Sequence, residues 1–271
     1  MLQELEATSW AELHDLLFAE SWSPALGRFR SPFAFRGVAD ARYSLVTSLL
    51  RLGPNHRRLE GHLLRNFRKY ARSDAGPGDS IWNWLALAQH HGLPTRMLDW
   101  TYSPYVALHF ATADTASFAI DGVIWCVDYV QTHGLLPDAL RAILAEEESD
   151  VFTAEMLDRA AGTLRGFQAL ATSDILVFFE PPSFDDRIVN QAALFSLVSR
   201  PGAAVEEWLA QHPVTVRKIV IPAALKWEVR DKLDQANVTE RVLFPGLDGL
   251  TRWLSRYYSP RPFPVPGPDL D

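Results

Sequence analysis

Cysteine is almost absent: Cys126 is the single one in 271 residues, so no disulfide can form within the chain and a reducing compartment is expected. It sits in the apolar run Gly122-Val-Ile-Trp-Cys-Val127, where a free thiol behaves as a small buried hydrophobe. Long apolar runs are also lacking; nowhere do about 18 apolar residues follow one another, which leaves no candidate for a membrane-spanning helix. The opening Met-Leu-Gln-Glu-Leu-Glu has neither the basic start nor the apolar stretch of a leader, and the expectation is a cytoplasmic protein with no membrane partner. Common catalytic signatures are missing too. There is no Gly-x-Ser-x-Gly elbow, no Walker phosphate loop, no Gly-x-Gly-x-x-Gly and no Cys-x-x-Cys pair. Positive charge is in deficit, since 26 Lys and Arg against 33 Asp and Glu give a net charge of -7. Bulk attraction therefore does not draw nucleic acid to this chain, although a local patch can act independently of the total.

What is present is the balance of a globular protein: 48% hydrophobic residues, 22% charged and nine tryptophans. Ser9-Trp-Ala-Glu12 has the form of a capping box, with Trp10, Leu13, Leu16 and Leu17 following at helical spacing. Phe33 and Phe35 alternate as in a short strand ending at Gly37, which sets Arg36 opposite to Phe35. Arg57, Arg58, Arg65, Arg68, Lys69 and Arg72 cluster in a segment whose Leu63, Phe67 and Tyr70 share a helical face, while Glu146, Glu147, Glu148 and Asp150 form an acidic run. Either run reads first as a solvated face. Asp79 or Ser80 is a candidate cap for a helix carrying Trp82, Leu85 and Ala88, stopped by Gly92 and Pro94.

Residues 92–104 read as a polar loop, followed by a short buried helix around Val106, Phe110 and Ala111. Strands are expected at residues 123–127, 175–179, 194–198, 216–221 and 242–244. Two helices are expected within residues 138–171, and further ones at Leu225, Val229 and Leu233 and at Leu250, Trp253, Leu254 and Tyr257. Prolines 260, 262, 264, 266 and 268 then alternate with other residues, which excludes a helix and favours an extended tail. The irregular alternation of elements favours an α+β fold, a single domain with a mixed or antiparallel sheet flanked by helices. The chain divides into an N-terminal helix (1–29), a main domain (30–258) and a Pro-rich tail (259–271).

The densest polar stretch is Leu85-Ala-Leu-Ala-Gln-His-His-Gly-Leu-Pro-Thr-Arg-Met-Leu-Asp-Trp-Thr101. Structure alone explains part of it: an Arg96 to Asp99 ion pair bracing the turn, Asp99 or Thr101 capping the next helix, Gln89 or His90 meeting buried backbone groups. Adjacent His90 and His91 point about 100° apart on a helix, unlike a zinc-gripping pair one turn apart, and no metal is expected.

Taken in order, Phe35-Arg36-Gly37, the segment from Leu45 to Arg51, Ala88 to Thr101, Ser103-Pro104 and Ala107-Leu-His-Phe-Ala111 resemble the FRG domain family, and the resemblance runs on through Arg187-Ile-Val-Asn-Gln-Ala-Ala-Leu-Phe195 to Leu243-Phe-Pro-Gly-Leu-Asp-Gly249. Val38 stands where the family usually has Gln, and Ala193 where it usually has Gly. The Phe-Arg-Gly opening is in turn similar to the aromatic-Arg-Gly strand of ADP-ribosyltransferases. That more distant resemblance implies an ADP-ribosyltransferase-like fold, NAD as substrate and an acceptor that is protein or nucleic acid, in a bacterial defence or toxin setting. It implies Arg36, His90, Asp99 and Gln191 as catalytic residues, and Arg36, Gly37, His91, Thr95, Arg96, Trp100, Thr101 and Phe195 around the cofactor, with Trp100, Tyr102 or Phe195 stacking on nicotinamide. Gln191 brings no negative charge to a developing ribosyl cation, so Glu180 and Asp99 remain alternatives. Two other readings stay open: a non-catalytic nucleotide or nucleic-acid recognition module, and an NAD glycohydrolase.

Overall fold

The structure, a computed structural model, describes residues 2–71 and 78–260; Arg72 and the prolines at 262, 264, 266 and 268 lie outside them. Its strands are β1 (Leu2–Glu6), β2 (Trp22–Ser23), β3 (Arg28–Phe29), β4 (Phe33–Val38), β5 (Met97–Thr101), β6 (Gly122–Asp128), β7 (Phe152–Thr153), β8 (Leu176–Glu180), β9 (Ala193–Val198) and β10 (Val216–Ile221). The first five helices are α1 (Trp10–Phe18), α2 (His56–Ala71), α3 (Ile81–His90), α4 (Pro104–Ala111) and α5 (Tyr129–Gly134). There follow α6 (Asp138–Glu146), α7 (Ala154–Ala160), α8 (Leu164–Gln168), α9 (Asp186–Asn190), α10 (Val205–Gln211), α11 (Lys226–Gln235), α12 (Glu240–Leu243) and α13 (Leu247–Tyr257).

The fold is α+β: one mixed main sheet, in the order β1-β10-β6-β4-β5-β9-β8-β7, flanked by helices, with β2 and β3 forming a separate hairpin. Its inner pairs are antiparallel and both edge pairs are parallel. On one face Ala34, Trp100, Trp125 and Phe178 pack against Val205 and Trp208 of α10. The opposite face carries two separate cores. Phe33, Phe35 and Ile124 meet Leu13, Leu17, Leu108 and Val229, whereas Met97, Val177 and Phe195 meet Trp82, Leu85, Leu157 and Phe167.

The cleft opens where those two cores part, and two features of β4 explain why. First, β4 pairs with β5 at the single rung Phe35–Thr101, whereas β5 pairs with β9 from Met97 to Thr101. Second, a Cβ on Gly37 would lie 1.7 Å from the carbonyl oxygen of Ala107, so only glycine lets α4 lie this close to the strand.

Several expectations change. The first segment holds a strand as well as a helix: β1 pairs with β10 along the sheet edge. Ser9 caps α1 as expected, but Glu12 reaches back to Thr8 rather than to Ser9. Residues 92–104 are not simply a loop. They contain β5, a central strand whose Leu98 and Trp100 are buried while Asp99 is exposed, so polar residues facing a cleft hid the alternation. On α2 the inward residues are Glu60, Leu64 and Phe67, and Tyr70 is exposed. Residues 138–171 form three helices and the short β7. Residues 242–244, expected as a strand, end α12 instead, because Gly249 lets α13 approach the Glu240 and Phe244 carbonyls. Arg256 then fastens α13 by hydrogen bonds to Asp234 and Glu240. Among the described residues no helix is long and apolar enough to cross a membrane.

Candidate functional site

Arg36 leaves β4 just past its single rung with β5 and bridges the gap between the strands, donating from NH1 to the Asp99 carbonyl at 2.5 Å. Its NH1 is also 3.9 Å from the Asp99 carboxylate. Nε and NH2 make no hydrogen bond among the described residues. Burial lowers the Arg36 pKa, the Asp99 charge opposes that and Arg51 adds to it; a guanidinium nonetheless keeps its charge at ordinary pH.

The space around Arg36 is a cleft of about 660 Å³, within the range of small-molecule sites. Arg51 and Arg187 line it as well, so the lining holds three arginines and one acidic residue, Asp99. The Asp99 carboxylate is fixed from behind. Gln89 Nε2 donates to both of its oxygens at 3.0 Å, Gln89 Oε1 accepts from Thr95 Oγ1 at 2.5 Å, and Thr95 Oγ1 accepts from the Met97 amide at 3.1 Å. Gln89 and Thr95 thus orient Asp99, and buried Thr95 does not line the cleft.

Arg96 also turns away. It is 4% exposed, paired with buried Glu60 through Nε and NH2, and its NH1 donates to the Ser199 carbonyl at 2.6 Å. The expected Arg96 to Asp99 pair does not exist, and Arg96 is a brace between α2 and the sheet rather than a cofactor contact. Trp100 is buried against Phe178 on the other face, with Nε1 donating to Ser196 Oγ at 2.8 Å, and Tyr102 donates to Glu180 at 2.9 Å. Neither ring is free to stack in the cleft. Burial and the Glu180 charge raise the Tyr102 pKa, and Glu180 does not line the cleft. Thr101 Oγ1 donates to the Gln191 carbonyl and accepts from the Ser103 amide, and Ser103, not Asp99 or Thr101, caps α4.

Arg36, Gly37, His90, His91, Asp99, Trp100, Thr101, Gln191 and Phe195 do come together on the cleft lining, although the Trp100 ring itself is held by Phe178 and Ser196. Gln191 sits at the C-terminal cap of α9, not on a strand, and its Nε2 donates to the Leu243 carbonyl at 2.9 Å. The Phe195 ring forms part of the floor, 3% exposed and edge-on to Phe179. His90 closes the end of α3 with Nε2 2.6 Å from Asp185 Oδ2. Arg51, Gln89, Phe110 and Arg187 line the cleft without having been singled out from the sequence. All four lie inside the recognisable stretches, so their signal was present, but only the fold brings them to one cleft. Among the described residues no three His, Cys, Asp or Glu side chains group to hold a metal. Arg57, Arg58, Arg65, Arg68 and Lys69 lie on α2, whose Arg58, Arg65 and Lys69 are exposed, outside the cleft lining.

Fold and site together define an α+β protein with an arginine-lined cleft at the split between two central strands. The chain carries an FRG domain: the model of that family matches residues 31–119. The match holds Arg36, Gln89, His90 and Asp99, while Asp185, Arg187, Gln191 and the stretch ending at Gly249 fall after it. No curated protein and no solved structure matches the chain.

Proposed function

We propose that the Arg36 cleft binds NAD and that the protein is an NAD-dependent ADP-ribosyltransferase. One observation carries the reading: Arg36, Arg51 and Arg187 share a cleft of about 660 Å³ with the single, externally oriented carboxylate of Asp99. Guanidinium forks suit a pyrophosphate in geometry and charge. In this reading Arg36 holds the phosphates with the nitrogens that Asp99 leaves free, and Asp99 faces the nicotinamide ribose.

Loss of nicotinamide builds positive charge on that ribose, and a fixed carboxylate in a partly desolvated cleft stabilises it with little reorganisation. The Gln89 bridge supplies that fixity. Phe110, half-buried at the cleft wall and edge-on to Phe244, takes over the nicotinamide-facing role that Trp100 and Tyr102 cannot fill. A second reading, nucleotide binding without turnover, is favoured by Gln191: it carries no charge, and its amide nitrogen is engaged by Leu243.

Nicotinamide release from NAD by the purified chain, beside Arg36→Ala and Asp99→Asn, tests the proposal. Release that falls in both variants supports it. Tight NAD binding with no release under any acceptor condition leaves the binding module, and neither binding nor release refutes both.

A further inference from the structure

A second cleft of about 340 Å³ adjoins the first, and the two share His90, His91 and Arg187. Its far wall comes from the junction of α12 and α13, with Phe244, Asp248 and Arg252. His90 therefore stands where two chambers meet. Its side chain is only 7% exposed, Nε2 lies 2.6 Å from Asp185 Oδ2, and Nδ1 makes no hydrogen bond among the described residues. Asp185 is itself held from the other side, because Oδ1 accepts from the Ile188 amide at 3.1 Å as the N-cap of α9. Burial raises the Asp185 pKa, but the Ile188 amide and His90 outweigh it and the net direction is down, so the carboxylate stays ionised. A carboxylate on Nε2 fixes the hydrogen there and leaves the Nδ1 lone pair as the free, basic position of the ring.

Resting on the NAD reading of the first cleft, we infer that the second cleft receives the acceptor, that His90 is the base that deprotonates it, that Asp185 is its positioning residue, and that the acceptor is a hydroxyl group. The C1″–N1 bond of the nicotinamide ribose breaks and its electron pair goes to the ring, which leaves as neutral nicotinamide. The acceptor oxygen forms the new C1″–O bond, and its proton passes to His90 Nδ1 and then to solvent. An acceptor already ionised, such as a carboxylate, has no proton to lose and gains nothing from this pair; a hydroxyl does.

That difference is the test. The full chain is assayed for transfer from NAD to glycerol, a hydroxyl probe, and to acetate, a carboxylate probe, as the parent and as Asp185→Asn and His90→Gln. Asn caps a helix as well as Asp does, so Asp185→Asn keeps α9 while removing the acceptor for Nε2–H. Both variants are expected to lose transfer to glycerol by about 10²- to 10⁴-fold, the range of general-base effects, and to lose far less of the transfer to acetate. In the parent, nitrogen-15 spectra place the His90 hydrogen on Nε2, and in Asp185→Asn that preference is lost. Equal loss on both probes, or no loss on glycerol, overturns the base. A parent that neither binds NAD nor releases nicotinamide with either probe overturns the cleft reading, and the base falls with it.

Discussion

Arg36 donates to the main-chain carbonyl of Asp99, not primarily to its carboxylate: the first contact is 2.5 Å and the second 3.9 Å. The guanidinium therefore clasps the two strands where their ladder stops, and the clasp does not depend on the Asp99 side chain. Asp99→Asn is accordingly expected to fold with a melting temperature close to the parent and to bind NAD, while its rate of nicotinamide release falls by about 10²-fold, the scale of one lost electrostatic contact to a transition state. A rate unchanged in Asp99→Asn would remove that carboxylate from the mechanism.

Gly37 has a packing role distinct from ligand binding. A Cβ there would sit 1.7 Å from Ala107 O and 2.9 Å from Ala111 N, and both are backbone atoms that move only if α4 moves. Gly37→Ala is expected to cost about 3 kcal/mol or more, at the upper end of overpacking, which lowers the melting temperature by roughly 10 °C for a chain of this size. Thermal unfolding of the variant checks this, and an unchanged melting temperature would mean that α4 lies further from β4.

Arg96 and Glu60 form a buried ion pair between the sheet and α2. Arg96→Ala strands the Glu60 carboxylate in the interior and is expected to cost about 3–5 kcal/mol. The double change Arg96→Met with Glu60→Met restores much of that, since well-packed apolar pairs often replace buried ion pairs at little cost. Urea unfolding of the single and double variants decides it; a double variant no better than the single would place the loss in packing rather than in charge.

Two histidines make the fold acid-sensitive. Burial pushes His109 and His133 down to about 4; His133 accepts from the Phe178 amide at Nε2 and its Nδ1 lies 2.8 Å from the Asp150 carbonyl. Both are neutral when folded. An unfolded histidine titrates near 6.5, so the stability these rings contribute is fully present above that pH and is lost as pH falls from 6.5 toward 4, on the order of 3 kcal/mol for each. Carboxylates whose pKa is lowered, such as buried Glu240 and the more exposed Asp185, lose their contribution only further down. The urea midpoint is expected to drop between pH 7 and pH 4.5, and to drop less in His133→Asn; a flat midpoint contradicts neutral burial.

The sequence made legible those elements whose two faces differ in polarity. β4, β6, β8, β9 and β10 each present apolar alternation or a buried apolar run, and they appear where residue patterns place them. β5 was hidden because exposed Asp99 and buried Thr101 are both polar and break the apolar pattern, and because Gly92 and Pro94 announce a loop just before it. β1 was hidden because Leu2-Gln-Glu-Leu-Glu6 is a mostly exposed edge with no strong period. Site residues inside the FRG-like stretches were legible as a group, but their directions were not. Arg96 and Trp100 belong to the same stretch as Asp99 and face elsewhere, because their partners, Glu60 and Ser196, lie 36 and 96 residues away. Asp185 had no signal of its own, since its meaning comes from His90, 95 residues earlier.

Calorimetric titration with NAD of the parent chain and of Arg36→Ala decides whether the Arg36 cleft is an NAD site. Saturable binding by the parent is expected and, with a charge-assisted contact worth about 1.5–3 kcal/mol removed, an affinity about 10- to 150-fold weaker in Arg36→Ala. Equal affinity in the two proteins, or no binding by the parent, would contradict that assignment.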